Sequence, residues 1–274
     1  MPNKLKRLFF GWEVTAPWPA VLPRGRILAE TDRHMTLAFL GETSVAQLEK
    51  ALLEFPGAPF KVGFTGRFDQ NLFLPVRRPR VVAWHMQWLE SQAQIDSLQT
   101  FQKKLVSWLV GQNLMRPDDR DLLPHVTLCR APFVPSAWAK AFVELPFITT
   151  HIHLYESLGQ LRYKPLWSCP LHAPFEEIEH TADIAFVVRG ENLTQLYLHA
   201  FAALAFKHPP ILKYLPKENP QALEISLDGV IKTLNIAIAQ ADAAGRCPLK
   251  AVSYHGELRF EADETLSWEM IVDV

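Results

Sequence analysis

One tetrapeptide occurs twice in this chain, as His34-Met35-Thr36-Leu37 and as His125-Val126-Thr127-Leu128. In a β-strand, residues i and i+2 share a face and i+1 points to the other. His34 and Thr36 therefore project together, and Met35, Leu37 and Phe39 are expected to enter a core. The second copy repeats this with His125 and Thr127 on one face and Val126 and Leu128 on the other. A single His-x-Thr is most simply an ordinary half-buried strand. Two copies with the same fourth residue, at positions 34 and 125, are not explained that way.

Two such strands facing across a cleft supply two imidazoles and two hydroxyls around one small group. That set suits the opening of a cyclic phosphodiester. A neutral histidine takes the proton of the attacking water, and a protonated one delivers a proton to the departing ribose oxygen. The histidine pKa lies close enough to neutrality for both states to be accessible. The threonine hydroxyls can donate to non-bridging phosphate oxygens, so the expected reaction needs no cofactor at this site.

The rest of the composition narrows the setting. With 49% hydrophobic residues the chain has ample surface to bury, which excludes wholesale disorder. A net charge of -1 advertises no broad basic face for duplex nucleic acid. A small anion or an RNA end needs only a few local cations. Cys129, Cys169 and Cys247 are widely spaced and suggest neither a disulfide framework nor a thiolate zinc site. The apolar run after Lys4 is too short for a signal peptide, and no stretch approaches the ~20 apolar residues of a membrane span. A cytoplasmic protein without a membrane partner is expected.

Strands are expected at 5–10, 34–40, 60–65, 71–76, 80–87, 124–130, 147–157 and 166–171. Helices are expected over 44–55, capped by Ser44, and over 92–112, with a charged loop at 116–123 and a turn at Gly159. The order predicts an α+β fold of two similar halves, each carrying one His-x-Thr-Leu strand. A fresh pattern begins after His172-Ala173-Pro174, which puts the domain boundary between 1–173 and 174–274. There the expectation is a strand at 184–188 and a helix over 193–206 capped by Asn192. A break at Pro209-Pro210, a loop at 216–220 and a helix over 228–241 come next, then strands at 249–255, 257–261 and 267–272. His85, His151 and His153 lack a threonine partner and read as structural, and Trp84, Trp88 and Trp108 read as core.

The segments Arg7-Leu8-Phe9-Phe10, His34 to Gly41, Pro124 to Arg130 and Leu154-Tyr155-Glu156-Ser157 resemble the 2H phosphoesterases, in particular the bacterial LigT-like RNA 2′,3′-cyclic phosphodiesterases, also called 2′-5′ RNA ligases. The resemblance covers about residues 4 to 171. It implies a bilobal fold with two pseudo-symmetric antiparallel-sheet lobes and hydrolysis of RNA 2′,3′-cyclic phosphate ends, usually to a 2′-phosphate. It also implies that His34 and His125 are the acid–base pair and that Thr36 and Thr127 bind phosphate. Arg130 matches a basic residue often found there, as a phosphate or ribose contact, and Tyr163 matches an aromatic that can stack on a base or simply pack. One departure stands out: Pro17, Pro19, Pro23 and Gly25 interrupt the segment where that family has a longer helix.

Residues 175 to 274 resemble archease, a small α+β protein that assists a GTP-dependent RNA-splicing ligase. The likeness lies in His180-Thr181-Ala182-Asp183, Lys250-Ala251-Val252-Ser253-Tyr254-His255 and the closing Asp273-Val274. It implies a metal site for Ca²⁺ or Mg²⁺ from Asp183, Asp273 and the carboxylate of Val274. Hard oxygen donors suit those ions. The unit is shorter than archeases by tens of residues, around Ala241 to Pro248, which bears on its activating role. Two modules linked to cyclic-phosphate RNA ends imply RNA as partner, with the ligase as a second. An RNA-end-binding accessory role and reverse 2′-5′ ligation are the alternatives to hydrolysis.

Overall fold

A computed structural model describes residues 5–117, 121–215, 226–245, 247–254 and 256–274. The expected loop at 216–220, residues 118–120 of the charged loop, Arg246 and His255 lie outside these. In chain order the N-terminal elements are β1 (Leu5–Thr15), β2 (Arg26–Ile27), β3 (His34–Ser44), α1 (Val45–Ala51), β4 (Thr65–Leu74), β5 (Val81–Trp88) and α2 (Gln92–Gly111). They continue with β6 (His125–Arg130), α3 (Pro135–Ala141), β7 (Pro146–Gly159) and β8 (Arg162–Cys169). The C-terminal elements are β9 (Phe175–Ile178), β10 (Ile184–Gly190), α4 (Leu193–Lys207), α5 (Leu227–Gly245), β11 (Ala251–Val252), β12 (Arg259–Phe260) and β13 (Leu266–Asp273).

The N-terminal strands form one sheet in the order β1-β3-β6-β5-β4-β7-β8, which closes on itself because β1 also pairs with β7. The two expected lobes are thus halves of a single ring. One half holds β1, β3, β7 and β8, and the other holds β4, β5 and β6. The halves meet through three residue pairs between β4 and β7, and through one pair, Met35 with Val126, between β3 and β6. α2 presents Leu98, Phe101, Leu105 and Leu109 at helical spacing to the core that also holds Met35, Leu37, Val126 and Leu128. Ser44 caps α1 and Ser91 caps α2 by accepting the backbone N–H three residues on.

Four points differ from expectation. Of the run 60–65 only Thr65 belongs to a ladder strand, as the start of β4, and 60–64 pairs only at an isolated bridge, Val62 with His172. Its N–H groups at Lys61 and Phe64 are satisfied by the side chains of Glu191 and Thr149. Gly63 sits so close to the Thr149 carbonyl that a Cβ there would overlap it at 1.8 Å. The helix α3, entered through Pro135, was not expected, and neither was the strand β9. Phe39 does not enter the core but stands 48% exposed, for a reason that also shapes the cleft.

The C-terminal sheet runs β11-β13-β10-β9, with β12 on β13. Asn192 caps α4 as expected. This helix is buried along nearly its whole length, from Gln195 to Ala205, because it packs on its own sheet and against β4 and β7 of the ring. Leu89 and Ile148 of the ring accordingly join the C-terminal core. At this contact the fully buried Glu90 and His199 meet at 3.1 Å. Glu90 Oε1 also accepts from the Thr65 backbone N–H and hydroxyl, and Oε2 from Gln195 Nε2. His199 Nδ1 donates to the Arg189 carbonyl. Two polar side chains four residues apart on an otherwise apolar helix thus find one carboxylate.

Candidate active site

The single pair joining β3 to β6 runs through the second residue of both tetrapeptides. An antiparallel pair has local two-fold symmetry, so with Met35 opposite Val126, the two copies are brought together head to tail. Met35 and Val126 point into the core, both fully buried. His34, Thr36, His125 and Thr127 therefore share the opposite, cleft face. Among the described residues neither threonine hydroxyl has a hydrogen-bond partner.

Each copy then departs from alternation at the same place. Between β1 and β3 the partners run Phe10–Ala38 then Gly11–Thr36, which leaves Leu37 outside the ladder. Between β5 and β6 they run Val82–Cys129 then Ala83–Thr127, which leaves Leu128 outside. Each is a β-bulge, and an extra residue reverses the inward–outward order beyond it. Leu37 with Ala38 and Leu128 with Cys129 are consecutive buried pairs. Phe39 and Arg130 consequently turn to the cleft. Arg130, which plain alternation from His125 would aim away, joins the site by this device, and Arg7 lies over the Phe39 ring at 5.1 Å.

The proline-rich segment replaces the helix with a crossover. It carries the chain from the β1 half to the other, where Arg26 pairs with Arg130 and Ile27 with Cys129. Gly25 is required there, since a Cβ would lie 2.3 Å from the Cys129 sulfur. Arg26, Arg130 and Arg7 line a cavity of about 380 Å³ together with His34, Thr36 and Tyr163. Three guanidiniums make it suited to an anion. Arg7 and Arg26 were not singled out from sequence. The signal available was Arg24-Gly25-Arg26 within the departure from the family's helix, and the parity change at Leu128 was invisible without the neighbouring strand.

Both imidazoles are held alike. His34 Nδ1 lies 2.7 Å from the Asp32 carbonyl, and His125 Nδ1 lies 2.7 Å from the Leu123 carbonyl. A carbonyl only accepts, so each Nδ1 carries a proton and each Nε2 is the nitrogen left for chemistry. Their surroundings differ. His34 packs among Phe9 at 4.7 Å, Tyr155 at 5.2 Å and the edge of Tyr163 at 4.7 Å. Burial lowers its pKa to about 4, helped by nearby His125 and Arg130 and opposed by the bond to Asp32. Tyr163 thus packs on a histidine, and its backbone N–H donates to Asp32 Oδ1, which steadies the carbonyl that orients His34.

His85, His151 and His153, read as structural from sequence, each bond a neighbouring polar side chain. His85 stands opposite His125 in the ladder and bonds Asp69 at 2.7 Å. His151 and His153 lie on β7 beside Glu13, which is opposite His34. Trp84 is core as expected, while Trp88 and Trp108 pack partly buried against it.

At the other end of the molecule, Ile184 pairs with Val272 and Ala251 with Asp273. That register sets Asp183 and Asp273 at the same end of β10 and β13. Asp273 accepts from the Ser253 hydroxyl at 3.0 Å, Asp183 lies 3.9 Å from His180, and Val274 is exposed. Hard oxygen donors gathered at one sheet end fit Ca²⁺ or Mg²⁺ in kind.

No helix among the described residues is long and apolar enough to cross a membrane. No family model matches the sequence. The RNA 2′,3′-cyclic phosphodiesterase of Escherichia coli (strain K12) is 30% identical over 170 residues, which span 61% of this chain and 89% of that protein. Among solved structures, E. coli LigT complexed with 3′-AMP aligns at 27% identity over 61% of this chain and 98% of its own, with a TM-score of 0.43. A Thermus thermophilus protein, TT0787, aligns at 20% identity over the same shares, with a TM-score of 0.42. By that similarity to the E. coli phosphodiesterase, the chain belongs through its N-terminal part to the LigT-like 2H phosphoesterases, the family of RNA 2′,3′-cyclic phosphodiesterases.

Proposed function

We propose that this protein opens 2′,3′-cyclic phosphate ends of RNA. The observation that carries the reading is the head-to-tail apposition of the two tetrapeptides through Met35 and Val126. In the proposed reaction Nε2 of His34 removes a proton from water as its oxygen bonds to phosphorus. His125 then gives its Nε2 proton to the ribose oxygen as the P–O bond breaks, leaving a phosphomonoester. Thr36, Thr127, Arg130 and Arg26 hold the non-bridging oxygens, where donors placed in advance stabilise developing charge. The test is hydrolysis of a nucleoside 2′,3′-cyclic phosphate in EDTA by the wild type beside His34→Ala and His125→Ala.

The assignment of His34 as base rests on its aromatic surroundings, which favour the neutral ring. A base must be deprotonated to act, and a ring with a pKa of about 4 stays so well below neutrality. The acid limb of kcat/KM for the free enzyme is therefore expected near pH 4. A limb near pH 6.5, the value of an unperturbed histidine, would overturn the assignment.

A second reading concerns the C-terminal unit and is favoured by the register of Ile184 opposite Val272, which leaves Asp183 and Asp273 at the same sheet end. We propose that it is archease-like, holds Ca²⁺ or Mg²⁺ through Asp183, Asp273 and the Val274 carboxylate, and assists a GTP-dependent RNA-splicing ligase. A Ca²⁺-induced rise in Tm of several degrees, absent in Asp183→Asn, is the expected result. An unchanged Tm at millimolar Ca²⁺ would remove the metal from this reading, and failure to co-purify with the ligase would remove the partner.

A further inference from the structure

The face of β1 and β7 that continues from His34 carries a second group of chemistry-bearing side chains. Glu13, His151 and His153 offer one donor atom each, all within 4.8 Å of one another. His151 Nδ1 lies 3.0 Å from Glu13 Oε2, and His153 Nε2 lies 3.6 Å from the same oxygen. Ligands on one zinc ion, at the usual ~2.0–2.2 Å, stand about 3.0–3.5 Å apart, so these separations are those of neighbours in a coordination shell.

Neighbouring hydroxyls orient these donors. His153 Nδ1 lies 2.7 Å from the Ser168 hydroxyl, so a donated Nδ1–H leaves the lone pair of Nε2 aimed at the Glu13 side. The Thr150 hydroxyl donates to Glu13 Oε2 at 2.9 Å. The two imidazoles stack in parallel, 5.3 Å between centroids and 4° between planes, so both present ring edges to the same carboxylate. His151 and Glu13 are 41% and 44% exposed, which gives an ion an entry path and leaves coordination positions open to water.

We infer that Glu13, His151 and His153 form a binding site for one divalent transition-metal ion, of the two-histidine, one-carboxylate kind. Imidazole donors favour ions such as zinc over calcium or magnesium. The site is separate from the histidine pair but adjacent to it. The Tyr155 ring lies 5.2 Å from His34 on one side and 5.1 Å from His153 on the other. An ion bound here ties β1 to β7, the pair that closes the ring.

The test uses the full-length chain stripped with EDTA and dialysed, titrated with Zn²⁺ against a chromophoric chelator, with thermal unfolding read in parallel. The expected result is one equivalent of Zn²⁺ bound with micromolar or tighter Kd and a raised Tm. Affinity should fall at least tenfold in Glu13→Gln, His151→Ala and His153→Gln. It should be unchanged in His34→Ala and in Asp183→Asn. Zn²⁺ uptake that survives in Glu13→Gln and His151→Ala, or that disappears in His34→Ala or Asp183→Asn instead, would overturn the site. No uptake by the wild type would do the same. His151 is half exposed, so His151→Ala keeps the fold and its result stands even if His153→Gln proves unstable.

Discussion

His34→Ala and His125→Ala are each expected to lower kcat for a nucleoside 2′,3′-cyclic phosphate by about 10²–10⁴, the usual worth of one positioned proton transfer. KM should change little, because the anion is held by arginines and threonines that both variants keep. The double variant should be little worse than the worse single one, since groups that act in one step fail together. Thr36→Val would complement this by keeping the strand and removing only a phosphate donor. If one histidine variant keeps nearly full activity in EDTA, the two-imidazole reaction is wrong whatever the fold. Circular dichroism on each variant separates lost chemistry from lost structure.

The largest effect on stability is expected at Glu90→Ala. This carboxylate is fully buried and accepts from Thr65, Gln195 and His199, at the contact between the ring and α4. Truncation leaves an imidazole, a hydroxyl and a backbone N–H facing a void without an acceptor. Breaking a buried pair in this way costs about 3–5 kcal/mol. Urea unfolding followed by tryptophan fluorescence should show the fall, and a loss below about 1 kcal/mol would mean that water replaces the carboxylate. Glu90→Gln should fall between, because an amide oxygen still serves Thr65. Activity measured well below the transition should be nearly unchanged in both, since Glu90 does not line the cleft.

Much of this site was legible in the residues. His34, Thr36, His125 and Thr127 could be assigned to one face because the strand period is two, and Met35 and Val126 to the other. The caps at Ser44 and Asn192 were legible because a side-chain oxygen before an apolar periodic run has one obvious use. What stayed hidden depends on partners distant in sequence. Whether a strand bulges at Leu37 or Leu128 is decided by the register of β1 and β5, so the exposure of Phe39 and the aim of Arg130 could not be counted out. Arg26 was missed because a proline-rich stretch reads as a loop, while its pairing with β6 requires knowing that the chain crosses between halves. His151 and His153 looked structural because their carboxylate, Glu13, lies 138 and about 140 positions away and meets them only through β1–β7 pairing.

The closed order of the strands bears on how a substrate enters. A cleft between two free-standing lobes could widen and shut about a hinge, trading access against fit. Here any such motion between the halves must break ladder bonds at β4–β7 or at Met35–Val126, because the strands return to where they began. The two halves are therefore tied at both junctions once the chain folds. Under the proposed function, a phosphate at the end of a strand projects far enough to reach such a site, and one in the middle of a duplex does not. Selection for termini would then be a matter of reach.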